Sequence, residues 1–324
     1  MAKRGTTVSA QRPAHLKVAP ELPRKGRIPE AFRYWDLYLI MVPGLLFFVI
    51  FKYVPMWGTL IAFQDYSPFA GIRNSPWVGL EHFERMFNSK EFYQVFINTL
   101  LISLYKLFWG FPAPIILALM LNEVRHMLFK RSIQTIVYLP HFLSWVIVGG
   151  VLINILSPST GIVNEILKYF GIEPIMFLGD ERWFRSILVI SDIWKSAGWG
   201  TIIYLAALAG INPQLYEAAT VDGANRWKQV WHITLPSLLP TIAILFLLNL
   251  SSVLDVGFEQ ILILYNSLVY SVGDVIETYV YRVGISQGEF SYTTAVGLFK
   301  SIIALILVVL ANSATKKMGH EGIW

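Results

Sequence analysis

Apolar runs long enough to cross a lipid bilayer recur along the whole chain, and they decide most of what it can become. A span needs about 20 mostly apolar residues to cross a hydrocarbon core of roughly 30 Å. Six segments meet that need: residues 37–63, 95–121, 132–156, 186–209, 235–264 and 292–313. Backbone amides in lipid have no water to turn to, so each run has to close its hydrogen bonds within itself as a helix. The expected fold class is an all-α membrane protein with six transmembrane helices. Pro55, Pro112, Pro114 and Pro140 fall inside these runs and should kink or end their helices. Charged residues make up 15% of the chain, against about a quarter in soluble domains.

Orientation follows from where the basic residues fall. With the N-terminus inside, the inner segments (1–36, 122–131, 210–234 and 314–324) hold fifteen Lys and Arg. The outer segments (64–94, 157–185 and 265–291) hold seven. The positive-inside rule therefore places both termini in the cytosol. The +5 net charge is explained by this asymmetry and gives no reason to expect nucleic acid as a partner. Residues 1–36 carry eight Lys and Arg and no apolar run, which excludes a secretory signal and reads as a basic, partly disordered tail. The expected organisation is that tail, a six-span membrane domain over 37–313, and a short cytosolic tail over 314–324. Short amphipathic helices are expected at the outer surface over 80–87 and 164–170. The absence of cysteine excludes disulfides, thiolate metal sites and cysteine nucleophiles. The histidines show no metal-ligand spacing, and no Ser/His/Asp arrangement stands out, so neither a metal site nor a catalytic residue is expected.

The inner segment between the fourth and fifth spans is the most informative. Residues 209–236 read AGINPQLYEAATVDGANRWKQVWHITLP. Asn212 suits a helix N-cap, Pro213 the first helical position and Gly223 a left-handed C-terminal stop. The helix over 213–222 would be about 15 Å long, too short to cross a membrane. A second helix starts near Ala224, and its Trp227, Val230, Trp231 and Thr234 are expected to lie against the membrane domain. The result is a rigid knuckle on the cytosolic face, bearing Tyr216 and Glu217, shaped to enter a groove on a partner. No Lys or Arg lies along 213–222, which argues against a helix that binds only lipid headgroups.

Glu217-Ala218-Ala219, Asp222-Gly223 and Ile233-Thr234-Leu235-Pro236 resemble the "EAA" loop of type I ATP-binding-cassette importer permeases. The resemblance covers about residues 30–318 and implies the MetI-like permease fold. PGLLFF at 43–48, FKYVPMWG at 51–58, Asn98-Thr99-Leu100 and YLPHF at 138–142 resemble the oligosaccharide permeases within that family, the alginate-oligosaccharide importer being one candidate. The family implies that Tyr216, Glu217, Ala218, Ala219, Asp222 and Gly223 form the coupling helix that docks in a cleft of an ATPase. It further implies two ATPase subunits, a second homologous permease, an extracytoplasmic solute-binding protein and a bacterial inner-membrane location. The chain has no G-x-x-x-x-G-K-[ST] phosphate loop, so it is expected to be no enzyme and to bind no cofactor itself, with ATP and Mg on the partner ATPases.

Polar residues inside spans normally face protein or a water-filled path, because a charge in lipid costs at least about 2.5–3.5 kcal/mol. Asn249, Ser252, Asp255 and Glu259 recur at spacings of three, three and four and should form one stripe on the fifth span. Asp192, Lys195 and Trp199, with Tyr204 beyond, share a face of the fourth. Asp192 and Lys195 either neutralise each other at i, i+3 or face cargo. Trp199, Tyr204 and Tyr281 either stack on sugar rings or pack between helices. These residues are the expected wall of an oligosaccharide path. Two rivals stand beside that reading: an ion-coupled secondary transporter, in which the Glu-Ala-Ala loop has no purpose, and a permease of the same family for another small solute.

Overall fold

The computed structural model describes residues 34–317. The basic tail over 1–36 lies almost wholly outside the described residues, as does most of the C-terminal tail. Among the described residues the regular structure is helical, apart from one isolated bridge between Gln64 and Trp77. It divides into two compact units between Trp57 and Gly58.

In the first unit, α1 (Trp35–Phe48) continues through a wider-pitched stretch, Val49–Tyr53, to Met56. No residue of α1 is buried, and apolar side chains cover nearly its whole circumference. That all-round apolar composition suits a membrane span.

The second unit holds α2 (Glu81–Asn88), α3 (Lys90–Glu123), α4 (Met127–Phe142) and α5 (Trp145–Ile155). These are followed by α6 (Ile162–Tyr169), α7 (Glu181–Ala209), α8 (Pro213–Val221), α9 (Arg226–Ser251), α10 (Phe258–Leu264) and α11 (Phe290–Lys317). The surface helices α2 and α6 fall where the sequence places them. Helix α11 runs past residue 313, so the tail expected to begin at 314 starts as helix.

Among the described residues, four helical runs are long and apolar enough to cross a membrane: Trp35–Phe63, Lys90–Glu123, Arg226–Ser251 and Phe290–Ser313. A fifth is formed if α4 and α5, bent by 101°, make one span. The expectation of six apolar spans is therefore met for four or five. The shortfall is α7, which has 29 residues and so about 44 Å of length. Its Glu181, Arg182, Arg185, Asp192 and Lys195 dilute an otherwise apolar helix.

Helix α7 is the hub of the unit. It packs along Pro112–Glu123, the second half of α3, and against α4. Gly198 permits the second contact, because a Cβ there would lie 1.9 Å from the Val137 carbonyl oxygen. One buried cluster joins Ile102, Phe184 and Leu188 to Ile261 and Leu264, and a second joins Ala118, Tyr204, Leu208 and Leu238. A third lies beneath α2, around Met86, Phe92 and Tyr279.

Prolines shape the long helices in a repeated way. Pro55, Pro112 and Pro236 each follow a wider-pitched stretch, Val49–Tyr53, Lys106–Gly110 and Val230–Thr234 respectively. Proline lacks the N–H for the i−4 carbonyl and its ring crowds that carbonyl, so the widened turn relieves both problems without ending the helix. Pro43 and Pro240 sit inside regular helix. Pro140 does end one: it lies in the tight turn Leu139–Phe142, just before the bend between α4 and α5.

Candidate coupling and transport sites

The knuckle forms as its punctuation dictates. The Asn212 side chain accepts from the Gln214 amide, and Pro213 opens α8. At the other end Gly223 takes φ +74°, the Ala224 amide donates to Ala219 O (2.8 Å) and the Gly223 amide to Thr220 O (3.1 Å). These two bonds are the Schellman stop, and they satisfy carbonyls that a helix end leaves free. Asn225 then caps the next helix by accepting from the Lys228 amide.

Two contacts fix the knuckle onto α9, and a third ties the foot of α9 to α3. The Tyr216 hydroxyl bonds the buried Thr234 hydroxyl at 3.0 Å. Gln229 Nε2 donates to Thr220 Oγ1 at 3.0 Å, and Arg226 pairs with Glu123. Glu217, Ala218, Asp222 and Gly223 remain exposed, while Ala219 and Tyr216 are half-buried. The expectation for the following helix is met at Thr234, which is buried, and in part at Val230, which is half-buried. Trp227 and Trp231 are instead 74% and 64% exposed.

Deeper in the bundle, α3, α7 and α9 enclose a cavity of about 370 Å³, within the usual size of a small-molecule site. Asp192, Tyr204, Asn249, Ser252 and Asp255 all line it. The stripe expected on a single helix is nevertheless broken. Helix α9 ends at Ser251, residues 252–257 turn, and α10 begins at Phe258. Asn249, Ser252 and Asp255 stay on the cavity wall, whereas Glu259 lies on the next helix and does not line it.

Lys195, Trp199 and Tyr281 also stand elsewhere. Lys195 is buried; its Nζ donates to His141 O at 2.9 Å and lies 5.5 Å from the Trp145 ring centre. It therefore closes the carbonyl end of α4 at the bend. Trp199 stacks on His141 with centroids 4.6 Å apart and planes within 2°. The Tyr281 ring packs against Phe258.

Asp192 and Lys195 do not neutralise each other. Asp192 Oδ1 lies 3.6 Å from Lys106 Nζ, which also donates to Val256 O (2.8 Å) and Gln260 Oε1 (2.6 Å). Lys300 Nζ bonds both Asp255 Oδ1 (2.6 Å) and Glu277 Oε1 (2.8 Å). Two lysines from different helices thus hold the broken segment from either side. Gln260, fully buried and bonded to Leu188 O and Ser191, escapes a sequence reading. An amide inside an apolar run was its one signal.

The chain matches the family described as "Binding-protein-dependent transport system inner membrane component" over residues 110–319. It is 48% identical over 319 residues to the polygalacturonan/rhamnogalacturonan transport system permease protein YteP of Bacillus subtilis (strain 168), covering 98% of this chain and 99% of the relative. Among solved structures it resembles a chain of a bacterial ATP-binding-cassette transporter involved in import of the acidic polysaccharide alginate. That match has a TM-score of 0.84 and 45% identity, and covers 89% of this chain and 97% of the other. A second, of a bacterial alginate transporter in complex with an alginate pentasaccharide-bound periplasmic protein, has a TM-score of 0.85 and 44% identity over 91% and 98%. With several apolar helices long enough to span a membrane, a helix capped at both ends between α7 and α9, and these matches together, the chain belongs to the binding-protein-dependent transport system inner membrane component family.

Proposed function

We propose that this chain is the permease half of an ATP-driven importer for acidic oligosaccharides. The observation that carries the reading is the knuckle. It is a short helix capped at both ends, tied by Tyr216 to α9, with Glu217 exposed and free of any internal partner among the described residues. A carboxylate so placed is available to a basic residue in another protein's cleft, and no role inside this chain competes for it. Tyr216, Glu217, Ala218, Ala219, Asp222 and Gly223 are the proposed coupling residues.

In this reading both termini are cytosolic, the knuckle docks on one of two ATPase subunits, and a second homologous permease completes the path. A periplasmic or other extracytoplasmic binding protein delivers cargo. ATP closes the ATPases, which moves the knuckle and rocks the helices as rigid bodies between inward- and outward-facing states. Asp192, Tyr204, Asn249, Ser252 and Asp255 offer hydroxyl, amide and carboxylate groups to sugar hydroxyls from the cavity wall. Lys195, Trp199, Glu259 and Tyr281 would act on the path only by holding its walls. The chain contributes no cofactor site to the cycle. The cargo assignment to uronate chains leans on the relatives, since polygalacturonan and alginate are both polymers of uronic acids.

The test is to purify the tagged chain from its native membrane in mild detergent and identify its companions by mass spectrometry. An ATPase and a second multi-span permease are the expected companions. Recovery of the stable chain alone would return the ion-coupled transporter to first place.

A further inference from the structure

A second groove opens on the same helices at the end of α7 remote from the knuckle. It has a volume of about 600 Å³ and is lined by Tyr105 and Trp109 of α3 and by Arg182, Arg185 and Ser186 of α7, among others. Helix α7 runs from this groove to residue 209, four residues before the knuckle begins, so the two sites lie at opposite ends of α7. The groove adjoins the central cavity along α7. Ile193 lines both, and the α7 positions facing them recur every three or four residues from Arg182 to Tyr204. That stripe is about 33 Å long, the thickness of the hydrocarbon core.

Three charged side chains line the groove, the carboxylate of Glu181 and the guanidiniums of Arg182 and Arg185. Arg182 is occupied by Asp180 at 2.7 Å, and Glu181 accepts from the Ser271 hydroxyl. Arg185 differs from both. It is half-buried, and its guanidinium donates only to neutral acceptors, Val272 O at 3.1 Å and Asn98 Oδ1 at 2.7 Å. No carboxylate lies within ion-pair distance of it among the described residues, whereas Arg85, Arg182, Arg226 and Arg282 each have one. Two neutral anchors orient the fork and leave donors unspent. That is a preorganised but unneutralised cation, an arrangement that fits an incoming carboxylate. Trp109 and Tyr105 beside it are 60% and 41% exposed. Exposed aromatic rings next to a cation offer a stacking face for a sugar ring and a counter-charge for its acid group.

We propose that this groove is an outer subsite for a uronate-containing chain, with Arg185 as the residue that reads its carboxylate and Trp109 and Tyr105 as stacking faces. The inference rests on the importer reading and adds the place and residue that select acidic cargo. The central cavity does not supply that selectivity, because Lys106 and Lys300 are already bound to Asp192, Asp255 and Glu277.

The experiment uses the complete importer in proteoliposomes of zwitterionic lipid, comparing uptake of an oligogalacturonate with uptake of the same oligosaccharide after carboxyl reduction. Arg185→Gln should lower the acid-to-neutral uptake ratio by roughly tenfold or more, the size of one lost charge-assisted hydrogen bond. Arg185→Lys should recover much of it. Ser186→Asp, which leaves the Asn98 and Val272 anchors untouched, should depress the ratio in the same direction. An unchanged ratio in both Arg185→Gln and Ser186→Asp overturns the proposal, even if total uptake falls, and leaves Arg185 a helix anchor or a lipid-headgroup contact. Wild-type importer that carries neither sugar would instead overturn the importer reading on which the subsite rests.

Discussion

The knuckle and the central cavity are built on opposite plans. Nearly everything that shapes α8 lies within a dozen residues of it: the Asn212 cap, Pro213, and the two bonds that close around Gly223. The cavity wall is assembled from residues far apart in sequence. Lys106 reaches Val256, and Lys300 reaches Asp255. Local punctuation makes a part whose shape survives when its surface is altered. Long-range ionic anchoring makes a wall whose shape depends on a few contacts and can therefore move. A transporter needs both: a stiff handle and a wall with alternative positions.

That contrast can be broken or sharpened by substitution. The largest effect is expected at Gly198→Ala, where the added Cβ meets backbone of α4 at 1.9 Å and neither helix can yield cheaply. A loss of about 3 kcal/mol or more is expected, read as poor recovery from membranes and a lowered melting temperature in detergent. Next is Lys300→Met, which strands Asp255 and Glu277. Breaking a fully buried pair costs about 3–5 kcal/mol, and the open side of Asp255, 62% exposed, should bring this one nearer 2. Lys300→Arg should restore most of that loss; if Met and Arg melt alike, the ionic account of the wall is wrong.

Smaller effects are expected in the knuckle. Gly223→Ala meets no neighbouring atom, yet its φ of +74° should cost about 1 kcal/mol, confined to α8. Hydrogen exchange should show faster opening of residues 213–222 with the spans unchanged. Smallest in stability is Glu217→Ala, within about 0.5 kcal/mol of the parent. In the assembled importer the same variant should lose most sugar uptake per ATP hydrolysed. A variant that melts lower but transports normally would mean that Glu217 serves the fold and not a partner.

The same division explains how much of the molecule could be read from its sequence. The knuckle was legible almost to the residue, because cap, proline and glycine act on their neighbours. So were α2, α6 and most of the long helices, whose apolar lengths are a local property. The stripe Asn249, Ser252, Asp255, Glu259 was only partly legible. Its spacing is helical, but the helix stops at Ser251, and the break is held by Lys106 on another helix. Lys195 reads either as a partner for Asp192 three residues earlier or as facing cargo, and instead closes the end of α4. Both misreadings have one cause: a cation in an apolar bundle goes to the strongest nearby acceptor in space, often a carbonyl freed where a helix breaks, and sequence spacing does not reveal it.

The hydrogen bond between Tyr216 and Thr234 has a mechanical meaning. Without it, α8 would be held to α9 only by the turn residues and the Gln229–Thr220 bond, and part of a push on it would be lost in the hinge. With it, the knuckle is a spur fastened to the foot of a shaft that runs 26 residues, from Arg226 to Ser251. The far end of that shaft is the broken segment bordering the cavity. Force applied to the spur becomes a tilt of the shaft, and a small displacement at the foot is magnified at the tip, in the manner of an oar turning about its rowlock.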